Sequence, residues 1–280
     1  MSLPGTPQGA TWDRLAEELG RLGPVVVALS GGVDSSLLAV AAREVLGPEQ
    51  VVAATAVSPS LAFEELLGAA RLCARHGLSW RQVATFELED PQYRANQADR
   101  CARCKEALLS GLAPLARARG ATVVLGVTKD DLGDYRPGQQ AAAALGARFP
   151  LMDAGLGKME VRVLARELGL EVWDKPAAPC LASRLPYGTP VTLGRLAAVE
   201  RAERGLRALG FAEVRVRHHG DLARVELPPA DLARAVTARS AVVDAVQAAG
   251  FRDVTLDLQG LRSGNLNAAL GLAASGSRPS

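Results

Sequence analysis

The sequence predicts an α/β protein: a parallel sheet flanked by helices over residues 1–186, then a smaller α+β domain over 187–280. Three observations predict it. Strand-like and helix-like segments alternate through the first half, as in a parallel sheet covered on both faces. A glycine–serine run at residues 30–36 sits directly between a hydrophobic strand and a helix. Beyond Pro190 the pattern changes to two helix–Gly-Phe–strand units, whose Gly210-Phe211 and Gly250-Phe251 lie 40 residues apart.

Taken in order, residues 25–29, 51–57, 80–86 and 122–127 are short β-branched or apolar runs and read as strands. Helical stretches lie between them, near 35–46, 64–76 and 105–119. A fourth covers 158–168 and ends at Gly169. Residues 173–190, WDKPAAPCLASRLPYGTP, are rich in proline and polar groups and read as a functional loop and hinge. Thr192 then N-caps a helix with Leu196, Val199, Leu206 and Leu209 near helical spacing. Strands follow at 213–217 and 223–227, a helix at 231–249 and a last strand at 254–258. Two repeats suggest an internal duplication but are too few for a solenoid.

Composition narrows the function classes. With 48% hydrophobic residues the chain can bury a sizeable core, and its formal charge of +2 does not mark a dedicated nucleic-acid or membrane-surface binder. No apolar run reaches membrane-span length and the N-terminus lacks a signal pattern, so a cytoplasmic protein is expected. There, Cys73, Cys101, Cys104 and Cys180 are buried, metal-binding or catalytic rather than disulfide-bonded.

The run Ser30-Gly31-Gly32-Val33-Asp34-Ser35-Ser36 falls where ligands bind in open α/β sheets, at the carboxyl end of a strand. Glycines admit an anion close to the backbone, and the following helix offers free N–H groups and a favourable dipole. The Walker pattern G-x-x-x-x-G-K-[ST] is absent, and no G-x-G-x-x-G follows a strand. The run resembles the PP-loop of the ATP-pyrophosphatase superfamily. That likeness implies that the loop holds the pyrophosphate of ATP, that AMP passes to an acceptor, and that Asp34 helps place Mg²⁺. A second Gly-rich cluster, Gly126 to Gly138 with Asp130 and Asp131, follows another strand end and is expected to face the nucleotide.

Further motifs narrow the family: DDLGDYRPG, WDKPAAPCLASRLPYGTPVT, VRHHGDLARVE and GFRDVTLDLQGLRSGNLN. From about residue 12 to residue 267 the chain resembles the LarE family of ATP-dependent sulfur transferases. The resemblance implies adenylation of a carboxylate of pyridinium-3,5-biscarboxylic acid mononucleotide and its conversion to a thiocarboxylate for the nickel-pincer nucleotide of lactate racemase. It also implies a homo-oligomer, with other proteins of that pathway as partners and no nucleic acid or membrane. Asp130 and Asp131 match the family pattern, whereas Thr128 and Lys129 stand where relatives read Asn-Ala.

The resemblance makes Cys180 the sulfur-bearing residue. Lys175 and Arg184, near it in sequence, are candidates to favour its thiolate. In relatives with a lone cysteine the sulfur is given up and dehydroalanine remains. Here Cys101-x-x-Cys104 with Cys180 offers a second route, three thiolates on a [4Fe–4S] cluster whose open iron carries sulfide. Cys73, on a helix face with Leu66 and Ala70, reads as core. For a substrate with a phosphate and two carboxylates, Ser183, Arg184, Arg215 and Arg217 are the binding candidates. The two strand arginines alternate with Val214 and Val216, one pair per face. Glu200 or Glu203 is a candidate acid or base. His218 and His219, adjacent on a strand, point to opposite faces and make a poor metal pair. The competing readings are a PP-loop tRNA thiolase with the same three-cysteine cluster, an ammonia-dependent amidating synthetase and a degenerate nucleotide-binding regulator.

Overall fold

The computed structural model describes residues 7–133 and 137–262. Motif residues Asp134, Tyr135, Arg136, Ser263, Gly264 and Asn267 therefore lie outside the described residues.

The elements run α1 (Ala10–Gly20), β1 (Val25–Ala28), α2 (Val33–Leu46), β2 (Val51–Val57), α3 (Phe63–Arg75), β3 (Ser79–Ala84), α4 (Pro91–Arg94), α5 (Arg100–Arg119) and β4 (Thr122–Leu125). They continue with α6 (Pro137–Ala144), α7 (Pro150–Asp153), α8 (Lys158–Glu167), α9 (Leu193–Ala208), β5 (Arg215–His219), β6 (Leu222–Glu226), α10 (Leu232–Thr237), α11 (Arg239–Gln247) and β7 (Asp253–Leu256).

The four early strands form one parallel sheet in the order β3-β2-β1-β4. The chain steps outward from β1 through β2 to β3, then reverses to place β4 on the far side of β1. Such a reversal opens a crevice at the carboxyl ends of β1 and β4. Both faces of β1 are buried: Val25 and Val27 pack into a cluster with residues of α1, α2 and α8, and Val26 into a second with Leu112 and Ala116 of α5. Burying each such valine is worth roughly 1.5–3 kcal/mol, which is why this central strand reads as an unbroken apolar run.

The later elements form a three-stranded sheet, β5-β6-β7, with β5 antiparallel and β7 parallel to β6. The two helix–Gly-Phe–strand units lead into the strands on either side of β6. Gly210 and Gly250 take φ of +90° and +105°, which ends each helix, and Phe211 and Phe251 are buried directly afterwards.

Thr192 caps α9 as its sequence requires, its hydroxyl accepting from the Arg195 N–H at 3.3 Å. Leu196, Val199 and Leu206 are buried, but Leu209, just past the helix, is 38% exposed. The single helix expected over 231–249 is broken at Ala238 into α10 and α11. There the Thr237 hydroxyl donates back to the Ala233 carbonyl, a contact that bends helices. α5 begins at Arg100 rather than at 105, so Cys101 and Cys104 sit at its start, three residues apart on one face.

Two compact units result, and the division differs from a boundary at 186/187. One comprises Met1–Glu87 with Cys101–Ala178, the other Leu88–Arg100 with Pro179–Ser280. Among the described residues no helix is long and apolar enough to cross a membrane.

Candidate active site

In the first unit the loop after β1 is braced by its own serines. The Ser35 hydroxyl accepts from the Ser30 N–H at 3.1 Å, lies 3.0 Å from the Ser30 hydroxyl and donates to the Gly32 carbonyl at 3.1 Å. Gly31 has φ +80°, and a Cβ there would come within 3.1 Å of the Glu65 carbonyl oxygen. Its own carbonyl accepts from Lys175 Nζ at 3.0 Å, and that ammonium also pairs with Glu65 at 2.7 Å. Lys175 is thereby joined to the phosphate loop, a role its nearness to Cys180 in sequence does not suggest.

Gly32 occupies the N-cap of α2, with Asp34 in the first turn. One Asp34 oxygen, Oδ2, pairs with Lys158 Nζ, which also lies 3.5 Å from Asp131 Oδ2. The other, Oδ1, is buried with no hydrogen-bond partner, as is the Ser36 hydroxyl. Asp131 accepts from the Thr128 N–H at 2.9 Å and from its hydroxyl at 3.0 Å. Thr128, fully buried, is thus turned to its own loop. Asp130 accepts from the Lys158 N–H at 2.6 Å, at the start of α8. The sequence does not single out Lys158. Its only local signal is its place behind Gly157 at a helix start.

Gly126, directly after β4, holds the crevice closed at its floor: a Cβ there would fall 2.7 Å from the Ser35 nitrogen and 2.8 Å from the Asp34 carbonyl carbon. Both neighbours are backbone, so neither can turn away. Gly126→Ala is expected to cost about 1–3 kcal/mol of unfolding free energy through overpacking. It should also weaken ATP binding by about tenfold or more, since 1.4 kcal/mol at the loop suffices. Urea unfolding and ATP titration check both.

The second unit holds Cys180, Ser183, Arg184, Arg215 and Arg217. Cys180 is exposed and heads the short 3₁₀ turn Leu181–Arg184. Arg184 is buried, and its guanidinium makes a two-point pair with Glu203 at 2.8 and 3.1 Å. Its remaining nitrogen donates to the carbonyls of Pro179 (2.6 Å) and Cys180 (3.3 Å) and to the Ser183 hydroxyl (3.0 Å). In this structure Arg184 therefore shapes the cysteine loop. Glu203, 1% exposed, also accepts from Arg207 and from the Val216 N–H. Glu200, one turn earlier on α9, is half-buried.

Arg217 donates to the Ser183 carbonyl at 2.8 Å and to Glu226 at 2.8 Å, and its Nε is buried without a partner. Arg215 donates to the Arg262 carbonyl at 3.3 Å. Burial, then the neighbouring Arg184 and Arg217 charges, push the Arg215 pKa below its usual value. Among the described residues, three buried guanidiniums here face two buried carboxylates, Glu203 and Glu226. An anionic ligand would ease that crowding of positive charge. Both faces of β5 are covered, so the arginines do not lie on a solvated face.

Cys101 is exposed and Cys104 half-buried, and among the described residues no three His, Cys, Asp or Glu side chains are grouped as a metal set. Cys101 and Cys104 belong to the first unit and Cys180 to the second. Cys73 is core: burial pushes its thiol up to about 12. His218 packs edge-on against Phe251, with burial lowering its pKa, and His219 is exposed.

Residues 15–126 match the asparagine synthase family model. The chain is 47% identical over 92% of its length to an uncharacterized protein of Synechocystis sp., covering 97% of that protein. A protein of Methanocaldococcus jannaschii, also uncharacterized, is 25% identical over 85% of this chain and 91% of its own. The pyridinium-3,5-bisthiocarboxylic acid mononucleotide synthase of Lactiplantibacillus plantarum is 42% identical over 88% of this chain and 90% of its own. With that synthase matched along nearly its whole length, and a phosphate loop at the crevice between β1 and β4, the chain belongs to the LarE family.

Proposed function

We propose that this protein is an ATP-dependent sulfur transferase that converts a carboxylate of pyridinium-3,5-biscarboxylic acid mononucleotide to a thiocarboxylate. The observation that carries the reading is the unpartnered Asp34 Oδ1, buried at the head of the phosphate loop. A buried carboxylate oxygen without a donor is costly, and a cation or a phosphate-bound water would relieve it. Asp34 and Asp131 fit Mg²⁺, which when bound would neutralise charge on the leaving pyrophosphate. Lys158, already between them, is placed to follow the phosphates.

In this mechanism a substrate carboxylate oxygen attacks the α-phosphorus and pyrophosphate leaves from the loop of Ser30, Gly31, Gly32, Ser35 and Ser36. The Cys180 thiolate then attacks the carbonyl carbon, and AMP departs with the former carboxylate oxygen. Loss of the Cα proton of residue 180 breaks its Cβ–Sγ bond. The sulfur leaves on the product with the bonding electrons, and dehydroalanine remains. Ser183, Arg215 and Arg217 are assigned to the phosphate and carboxylates of the substrate. No step is routed through an iron–sulfur cluster. A homo-oligomer acting in the cytoplasm beside other nickel-pincer proteins completes the reading by family likeness.

The test is an anaerobic reaction with ATP, Mg²⁺ and the biscarboxylate mononucleotide, followed by peptide mass spectrometry. Thiocarboxylate product with residue 180 lighter by the elements of H₂S is the expected result. Product with every cysteine intact would overturn the sacrificial step, and no acceptor-dependent pyrophosphate would overturn the whole reading. Asp34→Asn should lower pyrophosphate release by roughly 10²-fold or more, the scale of losing one electrostatic contact to the transition state.

A further inference from the structure

The loop carrying Cys180 has almost no hydrogen-bond ladder of its own, since from Pro179 to Val191 it holds only one 3₁₀ turn. Its carbonyls must find donors elsewhere. Arg184 and Arg217 serve Pro179, Cys180 and Ser183. The rest of the loop is held by a segment roughly ninety residues earlier. Asn96 is fully buried, and its Nδ2 lies 2.8 Å from the Pro186 carbonyl, 2.8 Å from that of Thr189 and 3.4 Å from that of Leu185. Its Oδ1 accepts from Arg100 Nη1 at 2.6 Å, and that nitrogen also donates to the Ala182 carbonyl at 2.8 Å. Backbone contacts complete the clasp: Gly188 N–H to the Asn96 carbonyl at 3.0 Å and Val191 N–H to the Arg94 carbonyl at 2.8 Å. The Arg100 guanidinium also lies 5.7 Å over the Tyr187 ring.

Asn96 is the only non-glycine residue in the left-handed region among the described residues, with φ 55°. Asparagine tolerates that conformation better than most residues. Its amide combines two N–H donors with an acceptor, as this position needs. Aspartate, of the same size, would turn a carboxylate toward three carbonyl oxygens. A strained, buried residue whose polar atoms are spent on one loop points to a demand for that loop's geometry.

We propose that Asn96, supported by Arg100, is a positioning residue for Cys180. The clasp fixes the thiol's loop so that an adenylated carboxylate meets sulfur before it meets water. Neither residue touches the reacting atoms, and the inference rests on the sulfur-transfer reading above. Asn96→Gly isolates the side chain, because glycine keeps the left-handed backbone without strain. In a single turnover, thiocarboxylate formed per pyrophosphate released should fall to about a tenth of the wild-type ratio or less, as expected for a reacting group displaced by about 1 Å. The ATP KM and the rate of pyrophosphate release should stay within about threefold, because the phosphate loop is untouched. Hydrogen exchange over 179–191 should quicken by about tenfold or more.

A folded Asn96→Gly protein with the wild-type ratio overturns the proposal, and so does a parallel fall of both products with the ratio preserved. Should that variant not fold, Arg100→Lys, which leaves the backbone alone, is measured for the same ratio, and either of those two results overturns the proposal there as well. If the wild-type protein releases no acceptor-dependent pyrophosphate, it is the function that has failed. The exchange measurement then decides the positioning claim: faster exchange upholds the clasp, and unchanged exchange sinks it.

Discussion

Cys180→Ala is expected to abolish thiocarboxylate formation, by at least about 10³-fold as for loss of a nucleophile, while acceptor-dependent pyrophosphate release continues. In the proposed mechanism the two halves of the reaction draw on different residues. Adenylation is assigned to the phosphate loop with Asp34, Asp131 and Lys158 of the first unit, where Lys158 pairs with Asp34 and lies 3.5 Å from Asp131. Sulfur transfer needs an accessible thiol. Cys73 cannot substitute, since burial holds it protonated with its pKa at about 12. Pyrophosphate release and product mass, read on the same sample, separate the steps. Wild-type thiocarboxylate from Cys180→Ala would move the sulfur to Cys101 or Cys104.

The second large effect concerns stability. Glu203→Ala should cost about 3–5 kcal/mol, the usual penalty for stranding one partner of a buried ion pair. The loss leaves the Arg184 guanidinium, 5% exposed, with neither of its carboxylate contacts, and leaves the Val216 N–H without its acceptor. Against a total stability of about 5–15 kcal/mol, that is enough to unfold a large share of molecules in mild denaturant. Glu203→Gln keeps the shape and an acceptor and should cost less, about 1–3 kcal/mol. Urea unfolding followed by far-UV circular dichroism ranks the two. A loss below about 1 kcal/mol for the alanine variant would mean that water reaches Arg184. The pair Glu203→Leu with Arg184→Met should recover much of the stability, because apolar replacement of a buried pair is often neutral. It should not recover sulfur transfer, because the carbonyls of Pro179 and Cys180 lose their donor.

What the sequence shows and what it hides follow from distance along the chain. The phosphate loop was legible because strand, glycines and helix are consecutive, and the four early strands because their apolar runs are continuous. The alternation of Val214, Arg215, Val216 and Arg217 correctly put the arginines together. It could not show that their face is covered as well, because the carboxylates that make this tolerable, Glu203 and Glu226, come from α9 and β6. Glu200 and Glu203 are equivalent in sequence, and spacing alone does not show that Glu203 is buried against Arg184 and Arg207. Lys158 reaches Asp34 across 124 residues, Lys175 reaches Gly31 across 144 and Asn96 reaches Pro186 across 90. No local periodicity marks such partners. The break at Ala238 escaped because the apolar spacing of that stretch still reads as one helix.

The interleaving of the two units has a consequence for synthesis. Leu88–Arg100 belongs with the unit that begins again at Pro179, 79 residues after Arg100. At ribosomal speeds of about 5–20 residues per second, Asn96 emerges roughly 4.5–18 seconds before Pro186 in the loop it will hold, 90 residues later. Through that interval its amide has only water to bond. The sheet strands up to β4 can meanwhile be made in order, but the cysteine loop can settle only once the later chain arrives. A nascent chain halted when the first unit's last residue, Ala178, has just cleared the ribosome should therefore carry a finished nucleotide crevice and an Asn96 segment open to protease, which closes when synthesis resumes.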